Sequence, residues 1–349
     1  MEREQENRSH AATVAWLGAL GDRMADFGQT EATRHIAAEA VAANPWFTEA
    51  DIVFAVRAVR EQMLDRVRLA AWLAAYDEPA GAPLRVAIIM AGNIPLVGFA
   101  DLLYVLAAGD VPYVKPSSKD SVLMRWVIDL LCELNPAARI ETYRAGAPYD
   151  AVIATGSDNT GRYFRSQFAD MPAIIRGSRG SVAVLTGDET PQELRLLRQD
   201  MLRYGGLGCR NVSLLLVSGT CDVERLGEAL RVRRGDVHPK YYNNYRSLKG
   251  KLAVAGERFV DCGGFVLTEG EEFPTELSRI VVRRCGTEEA LRQWLAAHDS
   301  EVQCVVSREG TCVRGVRFGE AQAPALDDYP DGVDVPAFLA DVRRRLRSV

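Results

Sequence analysis

Short apolar runs alternate with segments of helical periodicity from Leu84 onward, and this alternation limits the possible folds more than any other feature of the chain. The runs lie at 85–90, 111–115, 151–154, 174–175, 182–185 and 212–217. Runs this short and this uniformly apolar are typical of strands buried on both faces of a sheet. Because helical segments connect them, the strands are expected to be parallel and to bind ligands at their carboxyl ends. The pattern therefore predicts an α/β fold with a ligand site at one edge of a parallel sheet.

The residues before Leu84 follow a different pattern, which predicts helices. An Ala-rich segment at 30–43 ends at Asn44-Pro45, a pair that terminates helices. Thr48 is positioned to cap the next helix, with an acidic residue three positions later. Residues 77–83 contain two prolines and a glycine and are predicted to form a linker.

Charge and cysteine content exclude several classes of protein. The 42 Lys and Arg against 47 Asp and Glu give a net charge of −5, so we expect no nucleic-acid partner. The seven cysteines form no C-x-x-C pair and the four histidines are far apart, so neither a disulfide framework nor a metal site is expected. A reducing, cytoplasmic setting fits this composition, and no signal peptide is predicted at residues 1–8.

One apolar stretch, at 86–109, has the length of a membrane span. Asn93, Pro95 and Asp101 interrupt it, whereas a spanning helix needs about 20 residues with almost no charge. The stretch is therefore interpreted as a buried strand, a turn and a helix from 96 to 108, and no membrane span is expected.

Cys209 is the strongest candidate for a nucleophile. It lies between a predicted helix and a predicted buried strand, and glycines at 205, 206 and 208 precede it. Glycines permit close approach of a substrate carbonyl, and the Cys209 amide is placed to donate to a developing oxyanion. The alternative interpretation is a structural thiol in a tight turn, because free cysteines are most often small buried apolar residues.

Five further residues lie where predicted strands end. Gly156 and Ser157 open a helix whose N-terminus suits the pyrophosphate of a cofactor, although an ordinary glycine-initiated helix explains them equally well. Lys115 and Ser117 follow another strand, where a lysine can hold ribose hydroxyls or a phosphate or simply be solvated. Asn93 ends the first strand and is either an oxyanion donor or a helix cap.

Two charged clusters carry weaker signals. Basic residues at 231, 233, 234, 238 and 240 are interpreted as a solvated face, with attraction of nucleotide phosphates as the alternative. Asp residues at 327, 328, 331 and 334 surround Pro330 and Gly332, which favours a turn over an acid/base pair. No role is assigned to His238.

Four of these motifs occur in the order in which the aldehyde dehydrogenase superfamily carries similar ones. They resemble, in turn, its N-F-P-L turn, its V-K-P-S strand end, its T-G-S-x-x-x-G-R cofactor turn and its nucleophile. The matching segments are Asn93-Ile94-Pro95-Leu96, Val114-Lys115-Pro116-Ser117, Thr155-Gly156-Ser157 with Gly161-Arg162, and Gly208-Cys209.

Within that superfamily the chain is most similar to the acyl-CoA reductases related to the bacterial luminescence fatty-acyl reductase. The similarity lies in the segments at 206–213, 241–245 and 328–334. It implies an aldehyde dehydrogenase-like α/β fold, with a Rossmann-type parallel-sheet cofactor domain and a second α/β catalytic domain. The implied divisions are an N-terminal helical segment packing on the cofactor domain (1–83), a nucleotide-binding domain (84–180), a catalytic domain carrying Cys209 (181–320), and a C-terminal tail and helix (321–349).

The resemblance implies NADPH-dependent reduction of a fatty acyl thioester, such as an acyl-CoA, to the aldehyde through an acyl-enzyme on Cys209. Asn93 would assist catalysis, and the nucleotide, NADPH or alternatively NADH, would be held by Lys115, Ser117, Gly156 and Ser157. One departure is informative. Aldehyde-oxidising members have a glutamate before a Gly-Gly pair, whereas this chain has Ile175-Arg176-Gly177. That glutamate would activate water, so its replacement argues against oxidation.

Other interpretations remain open at this point. A short-chain or carrier-protein-linked acyl reductase would use the same scaffold, and a non-catalytic subunit would bind only nucleotide or a partner enzyme. The alternatives for protein partners are a second copy of the chain, in a homo-oligomer, and an acyl-transferring enzyme. The linker before Leu84 is too short to contain the usual oligomerisation hairpin of the resembled family.

Overall fold

The computed structural model describes residues 9–347, which form two compact units. The first unit combines the residues up to 178 with those from 323 onward, and the second unit is the continuous segment Arg179–Gln322. Residues 1–8, where no signal peptide is predicted, and residues 348–349 lie outside the described residues.

From residue 9 onward the first unit begins with four helices, in agreement with the helical pattern of the N-terminal sequence. Each begins at a side chain that accepts a hydrogen bond from a backbone amide of the first turn, and Thr48 is one of these caps, as predicted. The second helix ends at Ala43, directly before Asn44-Pro45. The helices are α1 (His10–Arg23), α2 (Glu31–Ala43), α3 (Glu49–Met63) and α4 (Arg66–Leu73).

A five-stranded parallel sheet with its connecting helices follows in this unit, in the order β3-β2-β1-β4-β5. Alternate residues of β1 face opposite cores: Val86 and Ile88 pack with the N-terminal helices, whereas Ala87 and Ile89 pack with Phe164. The elements are β1 (Arg85–Ile89), α5 (Phe99–Ala107), β2 (Val111–Lys115), α6 (Ser121–Leu134), β3 (Glu141–Thr142), β4 (Ala151–Thr155), α7 (Asp158–Gln167) and β5 (Ala173–Arg176).

The stretch at 86–109 forms β1, a turn and α5. No helix among residues 9–347 is long and apolar enough to cross a membrane. The helix predicted from Leu96 begins instead at Phe99, because Leu96 has a φ of 57°, which a right-handed helix excludes. The buried carboxylate of Asp120 holds that conformation by accepting a 2.8 Å hydrogen bond from the Leu96 amide.

The second unit is built on a seven-stranded sheet in the order β12-β11-β6-β7-β10-β9-β8. All of its strand pairs are parallel except β8 with β9. The elements are β6 (Gly180–Leu185), α8 (Pro191–Leu202), β7 (Val212–Ser218), α9 (Val223–Leu230), α10 (Pro239–Ala255), β8 (Val260–Asp261), β9 (Val266–Glu269), β10 (Arg279–Cys285), α11 (Glu288–Ala297), β11 (Val302–Ser307) and β12 (Gly315–Arg317).

The C-terminal segment returns to the first unit and ends in α12 (Val335–Arg347). The Tyr329 hydroxyl accepts a 2.8 Å hydrogen bond from the Trp72 indole and bonds the Tyr76 hydroxyl. Tyr76 in turn donates to Asp334 at 2.9 Å. The aspartate cluster around Pro330 therefore forms a turn, as predicted, and this turn attaches the end of the chain to the N-terminal helices.

Candidate active site

The residues predicted to bind nucleotide lie at the carboxyl edge of the first unit's sheet. Lys115 is the last residue of β2 and Ser117 follows it, while Gly156 and Ser157 follow β4. Between β2 and β4 lies β1, which pairs with both, and Asn93 is in the turn that follows it. The chain runs from β1 to β2 and β3 on one side of β1 and then places β4 and β5 on its other side. The strand order therefore reverses beside β1, and this edge is a topological switch point, where open α/β sheets bind ligands.

The turn after β1 is packed closely against the end of β2. A Cβ atom at Gly92 would lie 2.5 Å from the Ser117 Cβ and 3.2 Å from the Asp120 Cβ, so this position accepts only glycine without rearrangement. Burial raises the pKa of the Asp120 carboxyl well above its usual range. Asn93, half-buried, is therefore carried on a turn whose path is set by Gly92 and Asp120.

Lys115 extends from the sheet edge into solvent. Its Nζ lies 5.9 Å from the centroid of the Tyr143 ring, which stacks on Tyr149 with centroids 5.4 Å apart. The lysine is exposed and both tyrosines are half-buried, so an ammonium group stands beside an aromatic surface. A cation in this position suits the phosphate or ribose hydroxyls of a nucleotide.

Gly156 and Ser157 form the turn from β4 into α7. The Gly156 amide donates to the Arg176 carbonyl at 3.2 Å, and a Cβ at Gly156 would lie 2.9 Å from the Thr160 side chain. The Ser157 hydroxyl is hydrogen-bonded to the Thr160 hydroxyl at 3.1 Å. It makes no capping bond to the first-turn amides of α7, all of whose residues the structure describes. Exposed residues and a helix N-terminus without a side-chain cap fit a pyrophosphate here.

Asp158 places a carboxylate in the same first turn of α7. Its Oδ1 accepts a 2.8 Å hydrogen bond from the Ser178 amide, which ties the segment after β5 to this helix. The carboxylate of Asp158 thus contacts the segment that follows β5.

Arg176 is the last residue of β5, in the segment that departs from the glutamate motif of the resembled family. It is 3% exposed, and its Nη1 donates to both carboxylate oxygens of Asp101, at 2.8 and 2.7 Å. Burial lowers the pKa of Arg176, but the carboxylate of Asp101 outweighs it and keeps the pKa above its usual value. A buried cation therefore lies at the end of β5, and its ion pair with Asp101 connects β5 to α5.

The predicted nucleophile lies in the second unit, between α8 and β7. Three consecutive residues in the left-handed region, Tyr204, Gly205 and Gly206, end the helix and turn the chain toward Cys209. All seven cysteines fall within the described residues, and Cys209 alone is exposed. A thiol can react with an external carbonyl only if it is accessible, so Cys209 meets the first requirement of a nucleophile.

Asn211 joins the two ends of this turn. Its Oδ1 accepts from the Gly208 amide at 2.8 Å, and its Nδ2 donates to the Arg203 carbonyl at 2.9 Å. The same Nδ2 lies 3.0 and 3.3 Å from the carbonyls of Asp200 and Met201, at the end of α8. Asn211 is 4% exposed. A single buried side chain therefore connects the helix end, the glycine turn and the start of β7.

The carbonyl of Cys209 is held from the neighbouring strand. The Ser181 hydroxyl on β6 donates to it at 2.8 Å and itself accepts a 3.2 Å bond from the Cys304 amide on β11. Ser181 and Cys304 are both fully buried. The backbone on both sides of the exposed sulfur is thus anchored to the sheet of the second unit.

The buried carboxylate of Asp200 lies near the end of α8, the helix that leads into this turn. Asp200 is 1% exposed and accepts from the amides of Gly319, at 2.6 Å, and Ala321, at 3.1 Å. Burial raises the pKa of Asp200 to about 7. Arg210, next to Cys209, donates to the Ala321 carbonyl, so both sides of the turn contact the segment at 319–321.

The segment at 241–245, singled out by the resemblance, packs behind the turn. Tyr241 on α10 is 2% exposed, and a Cβ at Gly206 would lie 3.1 Å from its ring. In the nearby basic cluster, Arg231 and Arg233 form ion pairs with Glu228 and Asp236. The Nδ1 of His238 accepts from the Lys240 amide as the cap of α10, so these residues have structural partners.

The structure brings Asn93, Lys115, Ser117, Gly156 and Ser157 to one sheet edge, while Cys209 belongs to the other unit. Sequence reasoning missed the residues that support these groups, because their roles depend on contacts between distant segments. The missed residues are Asp101, Asp120, Asp158, Ser181, Asp200 and Asn211. Only Asn211, two positions after the predicted nucleophile, had a sequence signal that could have identified it.

Three solved structures are similar to this chain over most of its length. Aldehyde dehydrogenase 21 from Physcomitrella patens matches 95% of the chain and 83% of its own, with 12% identity and a TM-score of 0.66. The salicylaldehyde dehydrogenase from Pseudomonas putida G7 matches 87% and 74%, with 13% identity and a TM-score of 0.62. The Mycobacterium tuberculosis aldehyde dehydrogenase, solved with NAD+, matches 85% and 72%, with 14% identity and a TM-score of 0.60.

These similarities confirm the predicted fold class, an aldehyde dehydrogenase-like α/β fold with a Rossmann-type parallel sheet and a second α/β domain. No family model matches the chain, and no curated protein matches its sequence. Within residues 9–347, no group of three or more His, Cys, Asp or Glu side chains is arranged to hold a metal ion.

Proposed function

We propose that this protein is an NAD(P)H-dependent oxidoreductase acting at the aldehyde level, and that it reduces acyl thioesters, long-chain acyl-CoA among them, to aldehydes. The observation that carries the proposal is the exposure of Cys209, alone among seven cysteines, on a turn held by buried hydrogen bonds. The fold adds support, since the similar solved structures are aldehyde dehydrogenases.

Lys115, Ser117, Gly156 and Ser157 are the residues proposed to hold the dinucleotide. They share the carboxyl edge of one parallel sheet and combine an exposed ammonium group with a helix N-terminus. NADPH is the proposed cofactor and NADH the alternative, because a lysine serves the phosphate of one and the ribose of the other. When bound, the dihydronicotinamide supplies the hydride that reduces the acyl group.

Cys209 carries the covalent steps of the proposed reaction. Its thiolate attacks the carbonyl carbon of the substrate thioester, and the bond from that carbon to the carrier sulfur breaks. The carrier leaves as a thiol with the proton that Cys209 gave up, and an acyl group remains on Cys209. After reduction, the carbon–sulfur bond to Cys209 breaks and the aldehyde is released. The Cys209 amide and the Asn93 side chain are the proposed oxyanion donors, each worth about 3 kcal/mol.

Reduction is favoured over oxidation because of Arg176. Oxidation of an aldehyde through an acyl-enzyme ends with hydrolysis, which requires a base to activate water. The residue in the position of the family glutamate is a buried arginine paired with Asp101, and a guanidinium is protonated at all accessible pH values. The chain therefore lacks that base in the segment matched by the resemblance, which supports hydride transfer to the acyl group on Cys209 over its hydrolysis.

A direct assay tests the proposal. The purified protein, given NADPH and a long-chain acyl-CoA, is expected to oxidise the nucleotide and form aldehyde in equal amounts. Cys209→Ala is expected to reduce this rate to background, because no other thiol is exposed. Cys221→Ala, which removes a half-buried thiol of the same unit, serves as the control and is expected to retain the rate. Full activity in Cys209→Ala would refute the proposed nucleophile.

The same assay distinguishes the substrates. Replacing the acyl-CoA by a short-chain or carrier-protein thioester tests the related reductases, and supplying aldehyde with NADP+ or NAD+ tests oxidation. If an acyl-transferring partner enzyme is needed, activity is expected only when that enzyme supplies the acyl group.

A further inference from the structure

Both polar atoms of the Asn211 side chain are hydrogen-bonded, two positions after the exposed thiol of Cys209. Its carbonyl oxygen accepts from Gly208, and its amide nitrogen donates toward three carbonyls at the end of α8 and in the following turn. Three backbone carbonyls converging at the end of a helix need donors, and the asparagine side chain supplies donors and an acceptor together. An aspartate cannot donate, and an alanine offers neither.

These bonds act on the residues that determine where Cys209 lies. Tyr204 and Gly205 are both left-handed, a conformation that costs free energy for tyrosine, so the turn needs external contacts to persist. The Gly208 amide, immediately before Cys209, is bound by Asn211, and the Cys209 carbonyl is bound by Ser181. The asparagine therefore controls the backbone on the N-terminal side of the nucleophile.

We propose that Asn211 is a positioning residue for Cys209, holding the turn at 203–208 in the one conformation that presents the thiol for acyl transfer. This inference rests on the proposed function, since it concerns the same thiol, but its physical part can be tested without any substrate. Asn211 itself does not touch the reacting atoms.

Amide hydrogen exchange tests the physical part. In the wild-type protein the Gly208 amide is expected to exchange as slowly as the amides of β7. Asn211→Ala is expected to accelerate the exchange of Gly208 at least tenfold while the β7 amides keep their rates. A Gly208 amide that exchanges fast in the wild type, or slowly in the variant, would overturn the proposal.

Steady-state kinetics test the consequence for chemistry. Asn211→Ala is expected to lower kcat for acyl-CoA reduction at least tenfold and to leave the KM for NADPH unchanged, since the proposed nucleotide-binding residues belong to the first unit. A merely structural role would reduce only the amount of folded protein, so kcat expressed per mole of folded protein would be unchanged. An accelerated Gly208 exchange together with an unchanged kcat contradicts the positioning role.

Asn244→Ala is the matched control. The Asn244 side chain also donates to a carbonyl, that of Lys240 at 2.9 Å, but on an exposed helix face. It is expected to retain kcat and the wild-type exchange of Gly208. If Asn211→Ala does not fold, Asn211→Ser, which keeps a hydroxyl donor and acceptor, is measured in the same way. If neither variant folds, the exchange rate of the Gly208 amide in the wild type decides.

A protein without acyl reductase activity would refute the proposed function and leave this inference open to its own test. The rate at which iodoacetamide alkylates Cys209, read by peptide mass spectrometry, then replaces kcat. Asn211→Ala is expected to slow this alkylation severalfold, because a mobile turn keeps the sulfur exposed for only part of the time. An unchanged alkylation rate would reject the positioning role whatever the substrate.

Discussion

At the scale of single residues, Asp200 shows how a buried acid couples pH to stability. Its carboxyl is enclosed beneath the Cys209 turn, and burial raises its pKa to about 7, far above the usual value of 3.8. A carboxyl whose pKa is raised by folding binds its proton more tightly in the folded state. Asp200 therefore stabilises the fold fully below pH 3.8, and this contribution is lost as the pH rises through 7.

Asp200→Asn is expected to remove this pH dependence. Between pH 5 and pH 8 the wild type should lose roughly 2 to 3 kcal/mol of unfolding free energy relative to the variant, because each pKa unit corresponds to about 1.4 kcal/mol. Urea unfolding of both proteins at several pH values measures the difference. A difference that stays constant over this range would show that Asp200 is ionised in the folded state throughout.

At the scale of elements, the Arg176–Asp101 pair ties the last strand of the first sheet to the helix that follows its first strand. Both side chains are buried, with 4% and 8% of their surface exposed. Asp101→Asn is expected to destabilise the protein by about 3 to 5 kcal/mol, since it leaves a buried guanidinium without its counter-charge. Thermal and urea unfolding measure the loss.

The exposed pair of Arg292 with Glu288 on α11 is the control. Glu288→Gln is expected to change the stability far less, because solvent screens surface ion pairs. Equal effects of the two substitutions would mean that the buried pair has little influence on the packing of α5 against β5.

At the scale of the whole molecule, hydrogen bonds connect the N-terminal helical segment of the first unit to its C-terminal segment. Tyr329 bonds Trp72 and Tyr76, which lie more than 250 positions earlier in the sequence. Tyr329→Phe is expected to cost about 1 to 3 kcal/mol in unfolding free energy, because the indole and the phenol lose a partner in a partly buried site.

Tyr163→Phe, at a tyrosine that is 62% exposed, is the control and is expected to leave the melting temperature unchanged. Calorimetry of both variants also indicates which unit is affected, since the second unit is continuous in sequence and lacks these contacts. A Tyr329→Phe variant as stable as the wild type would show that the aromatic packing alone holds the C-terminal segment.

Much of the fold was predictable from local patterns. The short apolar runs became strands of two sheets, and Thr48 capped its helix. The predicted start of α5 at Leu96 was wrong, because Asp120, 24 positions away, imposes a left-handed conformation there. The roles of Cys209, Asn93 and the four proposed nucleotide-binding residues stay predictions. The structure does place Asn93 and those four residues at one sheet edge.

By itself, the sequence determined the period of each segment, the helix caps and the glycines that permit the turn before Cys209, because these depend on neighbouring residues alone. The tertiary structure decided that Arg176 would pair with Asp101, that Asn211 would donate to carbonyls at the end of α8, and that Tyr329 would bond Trp72. Such contacts arise only when distant segments pack and exclude water. A buried polar group must then find its partner, and no local pattern specifies which one.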